Sequence, residues 1–185
     1  MTTGSGFAGH RLFEGRRTWR VSAGLLVHAV ELIAAAEGRC GPDLIVGIKR
    51  GGAPVATALA QEMGVPHALV SARHNPGDEI AVQATGHVSV DLEELDRDPD
   101  LRGRRVLLAD DICGSGSTIR AVTAALRPVL HPRFLRVAVL CRNAGSQISP
   151  GSWVWDVSDW TVFPWEEPPG CPTELLPVPT EVRHP

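Results

Sequence analysis

Two adjacent carboxylates and a run of small residues give one stretch of this chain a clear chemical character. Asp110 and Asp111 follow the apolar run 106–109, and the sequence Gly-Ser-Gly-Ser-Thr occupies 114–118 just after them. Glycines let the backbone turn tightly and approach a ligand, and hydroxyl and N–H groups at the start of a helix favour an anion. The pattern predicts a phosphate-binding loop beside an acidic pair.

The acidic pair must have a role other than binding the phosphate directly, because two carboxylates would repel a phosphate at close range. They either accept hydrogen bonds from sugar hydroxyls or hold a divalent cation. A ligand such as ribose 5-phosphate, with a phosphate near a vicinal diol, satisfies both the pair and the loop. The alternative is a turn between strand and helix whose acidic pair faces water and caps the helix. The loop matches neither the nucleotide-triphosphate P-loop, whose lysine it lacks, nor G-x-G-x-x-G.

A second charged loop follows another apolar run, at 44–48. Lys49, Arg50, Gly51 and Gly52 lead from this run into a predicted helix. If both runs are parallel strands, both loops lie at their carboxyl ends, where ligands bind in open α/β folds. We interpret the second loop as another anion site, with a solvated turn as the alternative.

The apolar pattern also predicts the elements that position these loops. Buried strands are expected at 44–48, 67–70, 106–109 and 134–140, and helices at 18–37, 54–63 and 119–127, the last ending before a proline. Strands that alternate with helices through right-handed crossovers predict an α/β fold with a doubly wound parallel sheet. Alternation over 80–90 suggests a hairpin.

Length and composition favour one domain that binds a small molecule. The 185 residues are 43% apolar and 21% charged, with a net charge of −3, so we expect neither a nucleic-acid partner nor a membrane surface. The four cysteines form no C-x-x-C pair and are expected to be reduced thiols. With no signal peptide and no long apolar run, a cytoplasmic protein is predicted.

The stretch 106–118 resembles the phosphoribosyl pyrophosphate (PRPP) motif of type I phosphoribosyltransferases, a hydrophobic strand, an acidic pair and a loop ending Ser-Gly-x-Thr. The loop at 49–52 is similar to the Arg-Gly-Gly loop that this family places on the pyrophosphate of PRPP. The resemblance covers residues 19–166. It implies transfer of ribose 5-phosphate from PRPP to a ring nitrogen of a heterocyclic base, release of pyrophosphate, and Mg²⁺ as cofactor.

The same resemblance implies roles for individual residues. Asp110 and Asp111 would fix the ribose diol and share in binding the metal. The 5-phosphate would lie in a loop made of Cys113, Gly114, Ser115, Gly116, Ser117 and Thr118. The pyrophosphate would lie against Lys49, Arg50, Gly51 and Gly52.

The family layout divides the single domain 1–185 into a core at 18–148, a flexible flap at 71–90, a small C-terminal hood at 149–170 and a Pro-rich tail at 171–185. The flap would close over PRPP, and its candidate residues are Arg73, His74, Asp78 and Glu79, each with a solvated loop as the alternative. Residues 1–15 are expected to be loosely held, with docking of Phe7, Leu12 and Phe13 on the body as the alternative.

A cluster of tryptophans near the C-terminus suggests a base site. Residues 160–166 resemble the signature Trp-x-x-x-Pro-Trp-acidic of the xanthine/guanine/hypoxanthine branch of the family. This implies that Trp160 stacks on the base and that the backbone near Thr161 and Phe163 reads its edges. Arg142 would occupy the place of a lysine that meets the exocyclic oxygen. Trp153 and Trp155 are expected to cover the sheet edge.

Gly114 departs from the pattern of this branch. Hypoxanthine and guanine enzymes usually carry an aspartate there, which takes a proton from the purine nitrogen, and glycine offers no general base. The acceptor therefore stays open between 6-oxopurines, adenine, modified or deazapurines and other heterocycles. A regulator that binds PRPP or nucleotides without turnover, and a hydrolase or phosphatase, also stay open. The family further implies a dimer or tetramer.

Overall fold

The structure, a computed structural model, describes residues 11–74 and 88–185 and has a six-stranded sheet at its centre. The strands are β2 (Leu44–Lys49), β3 (His67–His74), β4 (Val88–Asp91), β5 (Arg105–Cys113), β6 (Phe134–Asn143) and β7 (Ser152–Val157). Their spatial order is β4-β3-β2-β5-β6-β7, and every neighbouring pair is parallel except β3 with β4. The α/β fold with a mostly parallel sheet is confirmed.

Helices cover both faces of this sheet, which explains why its central strands are continuous apolar runs. The helices are α1 (Ala23–Gly38), α2 (Gly52–Met63), the short α3 (Glu93–Asp96) and α4 (Ser117–Leu130), with a 3₁₀ turn at Pro99–Leu101. One apolar core contains residues of α1 and α2, and the other contains residues of α4. Within the described ranges, no helix is long and apolar enough to cross a membrane.

The connections determine where a ligand can bind. Strands β2 and β5 are neighbours, but the chain goes from β2 outward to β3 and from β5 outward to β6. The strand order therefore reverses between β2 and β5, and their carboxyl ends flank the crevice where open α/β sheets bind ligands. Lys49 ends β2, and Asp110 and Asp111 lie near the end of β5.

Several predicted boundaries were wrong because pairing between distant segments overrode local patterns. The helix predicted from residue 18 begins at Ala23, where the Ser22 hydroxyl accepts a hydrogen bond from the Leu25 N–H, 3.2 Å away. The helix predicted to end before Pro128 includes it. The strand predicted to end at residue 109 extends to Cys113, because β6 pairs with it that far.

The chain ends meet in a second sheet that the apolar pattern did not predict. Its strands are β1 (Thr18–Arg20), β8 (Trp160–Val162) and β9 (Glu174–Leu175), with β1 in the middle and parallel to both. The tail continues to a backbone bridge between Arg183 and Trp153. Residues 11–15, expected to be loosely held, are hydrogen-bonded to the body: the Glu14 N–H donates to the Ser158 carbonyl at 2.8 Å.

An ion pair between the buried Glu37 and the partly exposed Arg136 connects α1 to the sheet and generates a stability prediction. Glu37 is 1% exposed, and its Oε1 accepts a hydrogen bond from Nη2 of Arg136 at 3.0 Å. Removing one partner leaves the other charge uncompensated, so Glu37→Ala should lower the free energy of unfolding by about 3 kcal/mol. Urea denaturation measures this change.

The double variant Glu37→Leu/Arg136→Met is the matched control, because it removes both charges and keeps apolar volume. It should recover most of the lost stability. An unchanged unfolding midpoint for Glu37→Ala would contradict the role given to this pair.

Candidate functional site

The start of α2 lies directly against the carboxyl groups at the end of β5. A Cβ on Gly51 would lie 1.8 Å from Oδ2 of Asp111, and a Cβ on Gly52 would lie 2.6 Å from the carbonyl oxygen of Ala109 and 2.9 Å from Oδ1 of Asp110. Only glycine fits at both positions. The contact unites the charged loop and the acidic pair in one site, with the positive end of the α2 dipole beside the carboxylates.

Both carboxyl groups of the pair have raised pKa values. Burial, and then repulsion by Asp111, raises the pKa of Asp110 well above its usual range. Burial also raises the pKa of Asp111 to about 6, although the Ile112 N–H, which donates to its Oδ1 at 2.6 Å, acts in the opposite direction. Such a pair is stabilised by a cation or by hydroxyl donors that compensate its charge.

Asp110 and Asp111 fit a hard divalent cation by donor type, since Mg²⁺ prefers oxygen ligands and often takes one or two carboxylates together with substrate phosphates. Across residues 11–74 and 88–185, no group of three or more His, Cys, Asp and Glu side chains is arranged to hold a metal ion. A cation at this pair would therefore take further ligands from a bound substrate or from water.

The predicted phosphate loop connects β5 to α4. Gly116 has a φ of 89° and precedes α4, and a Cβ there would lie 2.6 Å from Cγ1 of Ile148, so glycine is required for two reasons. The Ser115 and Ser117 hydroxyls are 3.0 Å apart, next to the first turn of α4. The turn thus presents hydroxyl groups at the positive end of a helix dipole.

Cys113 differs from the other residues of this loop. It is the last residue of β5 and is buried, and its Sγ lies 3.2 Å from the Ser146 hydroxyl oxygen. The thiol is therefore directed into the protein, and only the backbone of Cys113 faces the loop. The prediction that Cys113 belongs to the anion site is limited to its main chain.

The predicted pyrophosphate loop lies at the neighbouring strand end. Lys49 is the last residue of β2, and the peptide bond between Lys49 and Arg50 is cis. The Arg50 side chain is exposed, whereas Lys49 is half-buried. Since Gly51 and Gly52 contact the acidic pair, the fold brings this whole loop to the crevice at which the phosphate loop also lies.

Trp160 lies in a cluster that the sequence did not predict, which we call the Arg11 cluster and which consists of Arg11, Phe13 and Trp160. The Phe13 and Trp160 rings stack with centroids 6.1 Å apart. The Arg11 guanidinium carbon lies 5.0 Å from the Phe13 centroid and 5.5 Å from the Trp160 centroid. Trp160 remains 45% exposed, so part of its surface is open to a ligand.

The other predicted base contacts are less open. Thr161 and Phe163 are buried, and the Phe163 ring stacks on Trp165 at 5.2 Å. The Phe163 N–H donates to Oε2 of Glu166 at 2.8 Å, and the Phe163 carbonyl accepts from the Glu166 N–H at 3.0 Å. Both backbone groups of Phe163 are therefore engaged by Glu166, which limits the prediction that they read a base.

Arg142 does not lie with Trp160. Its Nη1 is 3.6 Å from Oδ1 of Asp156, and its guanidinium carbon is 4.8 Å from the Trp153 ring centroid. Both partners belong to β7, the neighbouring strand. The alternation of β6 explains the result, because Cys141 and Arg142 point to opposite faces of the sheet and Cys141 belongs to the core of α1 and α2. The cation beside Trp160 is Arg11.

The flap predictions fall partly outside the described structure. Arg73 is exposed near the end of β3, and His74 is the last residue of that strand. Strand β4 pairs with β3 in antiparallel orientation. Asp78 and Glu79 lie outside the described residues. The predicted hairpin over 80–90 lies mostly outside the described residues, and only its last residues belong to β4.

Comparison with known proteins identifies the family. The sequence model described as "Phosphoribosyl transferase domain" matches residues 27–169. An adenine phosphoribosyltransferase of Rhodospirillum centenum is 34% identical over 112 residues, covering 57% of this chain and 66% of that protein. The transcriptional regulator GfcR of Methanocaldococcus jannaschii is 26% identical over 97 residues, covering 52% and 43%. The chain thus spans about half the length of the curated relatives it matches.

A solved structure agrees with the fold. The purine phosphoribosyltransferase of Pyrococcus horikoshii superposes with a TM-score of 0.69 at 23% identity, covering 84% of this chain and 98% of that one. At this identity the likeness concerns the arrangement of strands and helices.

The contact between α2 and the acidic pair makes Gly51 sensitive to a single methyl group. Gly51→Ala should lower the free energy of unfolding by about 1–3 kcal/mol, because the Asp111 carboxyl must move. Gly24→Ala, in α1, is the control: a Cβ there meets nothing within 4 Å, so stability should be unchanged or slightly higher. In an Asp111→Ala background the Gly51→Ala loss should largely disappear, and its persistence would contradict the contact.

The raised pKa of Asp111 predicts a pH-dependent stability. Between its ordinary value of 3.8 and about 6, the folded state holds more protons than the unfolded state, so stability falls as pH rises through this window. Asp111→Asn keeps an oxygen for the Ile112 N–H and removes the charge. It should raise Tm by about 5 °C at pH 7.5 and little at pH 4. The exposed Asp100→Asn is the control, and an equal gain at both pH values would contradict the assignment.

Proposed function

The chain belongs to the phosphoribosyltransferase family, and from this membership we propose that it transfers the 5-phosphoribosyl group of PRPP to a ring nitrogen of a purine or purine-like base, releasing pyrophosphate. The observation that carries the proposal is the contact of Gly51 and Gly52 with Asp111 and Asp110. It joins a cationic loop, an acidic pair and a hydroxyl-rich helix start at one crevice, in the arrangement that a sugar with phosphates at both ends requires.

In this proposal each part of the site binds one part of PRPP. The turn at 114–118 and the first turn of α4 receive the 5-phosphate, whose charge the helix dipole favours. Asp110 and Asp111 accept hydrogen bonds from the ribose hydroxyls and would hold Mg²⁺, which would supply neutralising charge for the pyrophosphate. Lys49 and Arg50 add positive charge at the neighbouring strand end.

The chain's contribution to catalysis is positional and electrostatic. When the bond between the anomeric carbon and the pyrophosphate oxygen breaks, positive charge develops on the sugar and negative charge on the leaving group. Asp110 and Asp111, once ionised, lie on the side of the sugar and stabilise the first charge, and Lys49 and Arg50 stabilise the second. The contact at Gly51 and Gly52 holds the acidic pair and the cationic loop in fixed positions relative to each other.

Two observations support a purine acceptor. The adenine phosphoribosyltransferase relative acts on a purine, and Trp160 offers a half-exposed aromatic face near the site. A flat heterocycle is held well against such a face, with polar groups along its edges. Gly114 leaves the reaction without a side-chain general base at that position.

A regulatory protein that binds PRPP or a nucleotide with little turnover is the second candidate. It is favoured by the similarity to the transcriptional regulator GfcR and by the absence of a side chain at Gly114. The two candidates share PRPP binding and differ in whether a base triggers release of pyrophosphate.

The deciding experiment measures pyrophosphate release from Mg-PRPP with guanine, xanthine, hypoxanthine, adenine and orotate. We expect release with at least one purine. Asp110→Asn/Asp111→Asn should abolish it and weaken PRPP binding at least about 100-fold in calorimetry, because the diol and the cation lose their ligands. Asp100→Asn, an exposed aspartate away from the site, should behave as wild type.

The outcomes separate the candidates. PRPP binding without release for any base would favour the regulator. Undiminished PRPP affinity in the double variant would overturn the role of the acidic pair in both candidates.

A further inference from the structure

Arg11 occupies the space beside Gly114. A Cβ built on Gly114 would lie 3.5 Å from Cδ and 3.9 Å from Nε of Arg11. The resemblance to the purine branch implies an aspartate at this position, but here the place of its side chain is taken by an arginine from more than 100 residues earlier in the chain. A negative group is thus replaced by a positive one.

The surroundings of Arg11 are those of a ligand-binding cation. Its Nε is buried, and among the described residues it has no hydrogen-bond partner. Burial lowers the pKa of Arg11, and Asp111, Cys141 and Glu166 are the titratable groups that face it and act in the opposite direction. A buried N–H without a partner is unfavourable, so a ligand acceptor atom here would be stabilising.

The main chain holds Arg11 in this place. The N–H of the next residue, Leu12, donates to Oδ1 of Asn143 at 2.8 Å, and Nδ2 of Asn143 donates to the Leu12 carbonyl at 2.9 Å. Asn143 is fully buried at the end of β6. This pair of hydrogen bonds anchors the segment to the central sheet, which makes the position of Arg11 a property of the fold.

Stacking fixes the guanidinium as well. Its carbon lies 5.5 Å from the centroid of Trp160, the residue that the proposed function gives to the acceptor base. The guanidinium thus lies over the indole ring, so a base that stacks on the exposed part of Trp160 would lie close to the positive charge of Arg11. Guanidinium groups donate hydrogen bonds only, so the matching base edge must carry acceptor atoms, and the positive charge favours carbonyl oxygens or an anionic edge over neutral ring nitrogens.

We propose that Arg11 is a specificity-determining residue of the acceptor site, and that it selects a weakly acidic, oxo-substituted heterocycle that reacts as its anion. The inference rests on the proposed function, because it concerns the acceptor of that transfer. It replaces the expectation that Arg142 reads the base. Adenine, whose ring N–H is less acidic than that of xanthine, is a poor acceptor in this arrangement.

The reaction balances without a general base on the protein. The heterocycle loses its ring proton to water, and the positive charge of Arg11 favours the resulting anion. The nitrogen lone pair then forms the bond to the anomeric carbon of PRPP. The bond from that carbon to the pyrophosphate oxygen breaks, and pyrophosphate leaves with the electron pair.

The test compares wild type with Arg11→Gln and Arg11→Lys in the full chain, with xanthine, hypoxanthine and adenine as acceptors. Wild type should prefer xanthine, whose ring N–H is the most acidic of the three. Arg11→Gln should lower kcat/KM for xanthine by about 10–100-fold and move the pH profile to higher pH, because the anion is no longer favoured. Arg11→Lys should restore part of the rate at low pH.

Two controls separate specificity from folding. PRPP affinity of Arg11→Gln, measured by calorimetry, should stay within about 2-fold of wild type. Arg20→Gln removes an exposed arginine of β1 and should change neither the acceptor preference nor the pH profile. Equal loss of PRPP and xanthine binding in Arg11→Gln, or adenine as the preferred wild-type acceptor, would overturn the proposal.

A direct binding measurement distinguishes this proposal from the proposed function. If pyrophosphate is released with none of the bases, calorimetry can still measure how tightly xanthine and adenine bind the protein in its complex with Mg-PRPP. Xanthine binding that depends on Arg11 would support the role of Arg11 although transfer had failed. No binding of xanthine, or binding that Arg11→Gln leaves unchanged, would overturn it.

Discussion

The close approach of α2 to the end of β5 is the constraint on which the site depends. Gly51 and Gly52 have no side chains, so the helix start can rest on the carboxyl groups of Asp111 and Asp110. A larger residue would separate the two neighbouring strand ends. The cationic loop after β2 and the acidic pair on β5 would then be too far apart to contact one ligand. The crevice that the reversal of strand order creates between β2 and β5 would not bind it.

The same contact buries the acidic pair, and burial disfavours its ionised form when no ligand is bound. Burial raises the pKa of both carboxyl groups; repulsion by Asp111 raises that of Asp110 further, and repulsion by Glu166 raises that of Asp111. The positive end of α2 offsets only part of this effect, because a helix dipole is equivalent to about half a unit charge. A cation or a sugar diol would complete the compensation. The uncompensated charge of Asp110 and Asp111 thus favours a ligand that brings a cation or hydroxyl donors.

Segments near both ends of the chain would supply the acceptor side in the proposed function. Strand β1 lies between β8 and β9, so the N-terminal segment, the predicted hood and the tail form one small sheet. This sheet and the Leu12–Asn143 hydrogen bonds bring Arg11 beside Gly114. In the proposed function, the core would bind the phosphates and the ribose of PRPP, and the joined segments would determine which base reacts with it.

The sequence by itself determined the parallel α/β core and the pairing of an acidic strand end with two glycine loops, because both depend on local apolar runs and adjacent residue types. Through the family resemblance it also indicated Trp160 as a candidate for stacking on a base. Only the tertiary structure decided that β1 is a strand, that Arg142 faces Trp153 and that Arg11 lies beside Gly114. These results depend on hydrogen bonds and packing between segments more than 100 residues apart or on which face of a strand is covered, and no local pattern encodes such contacts.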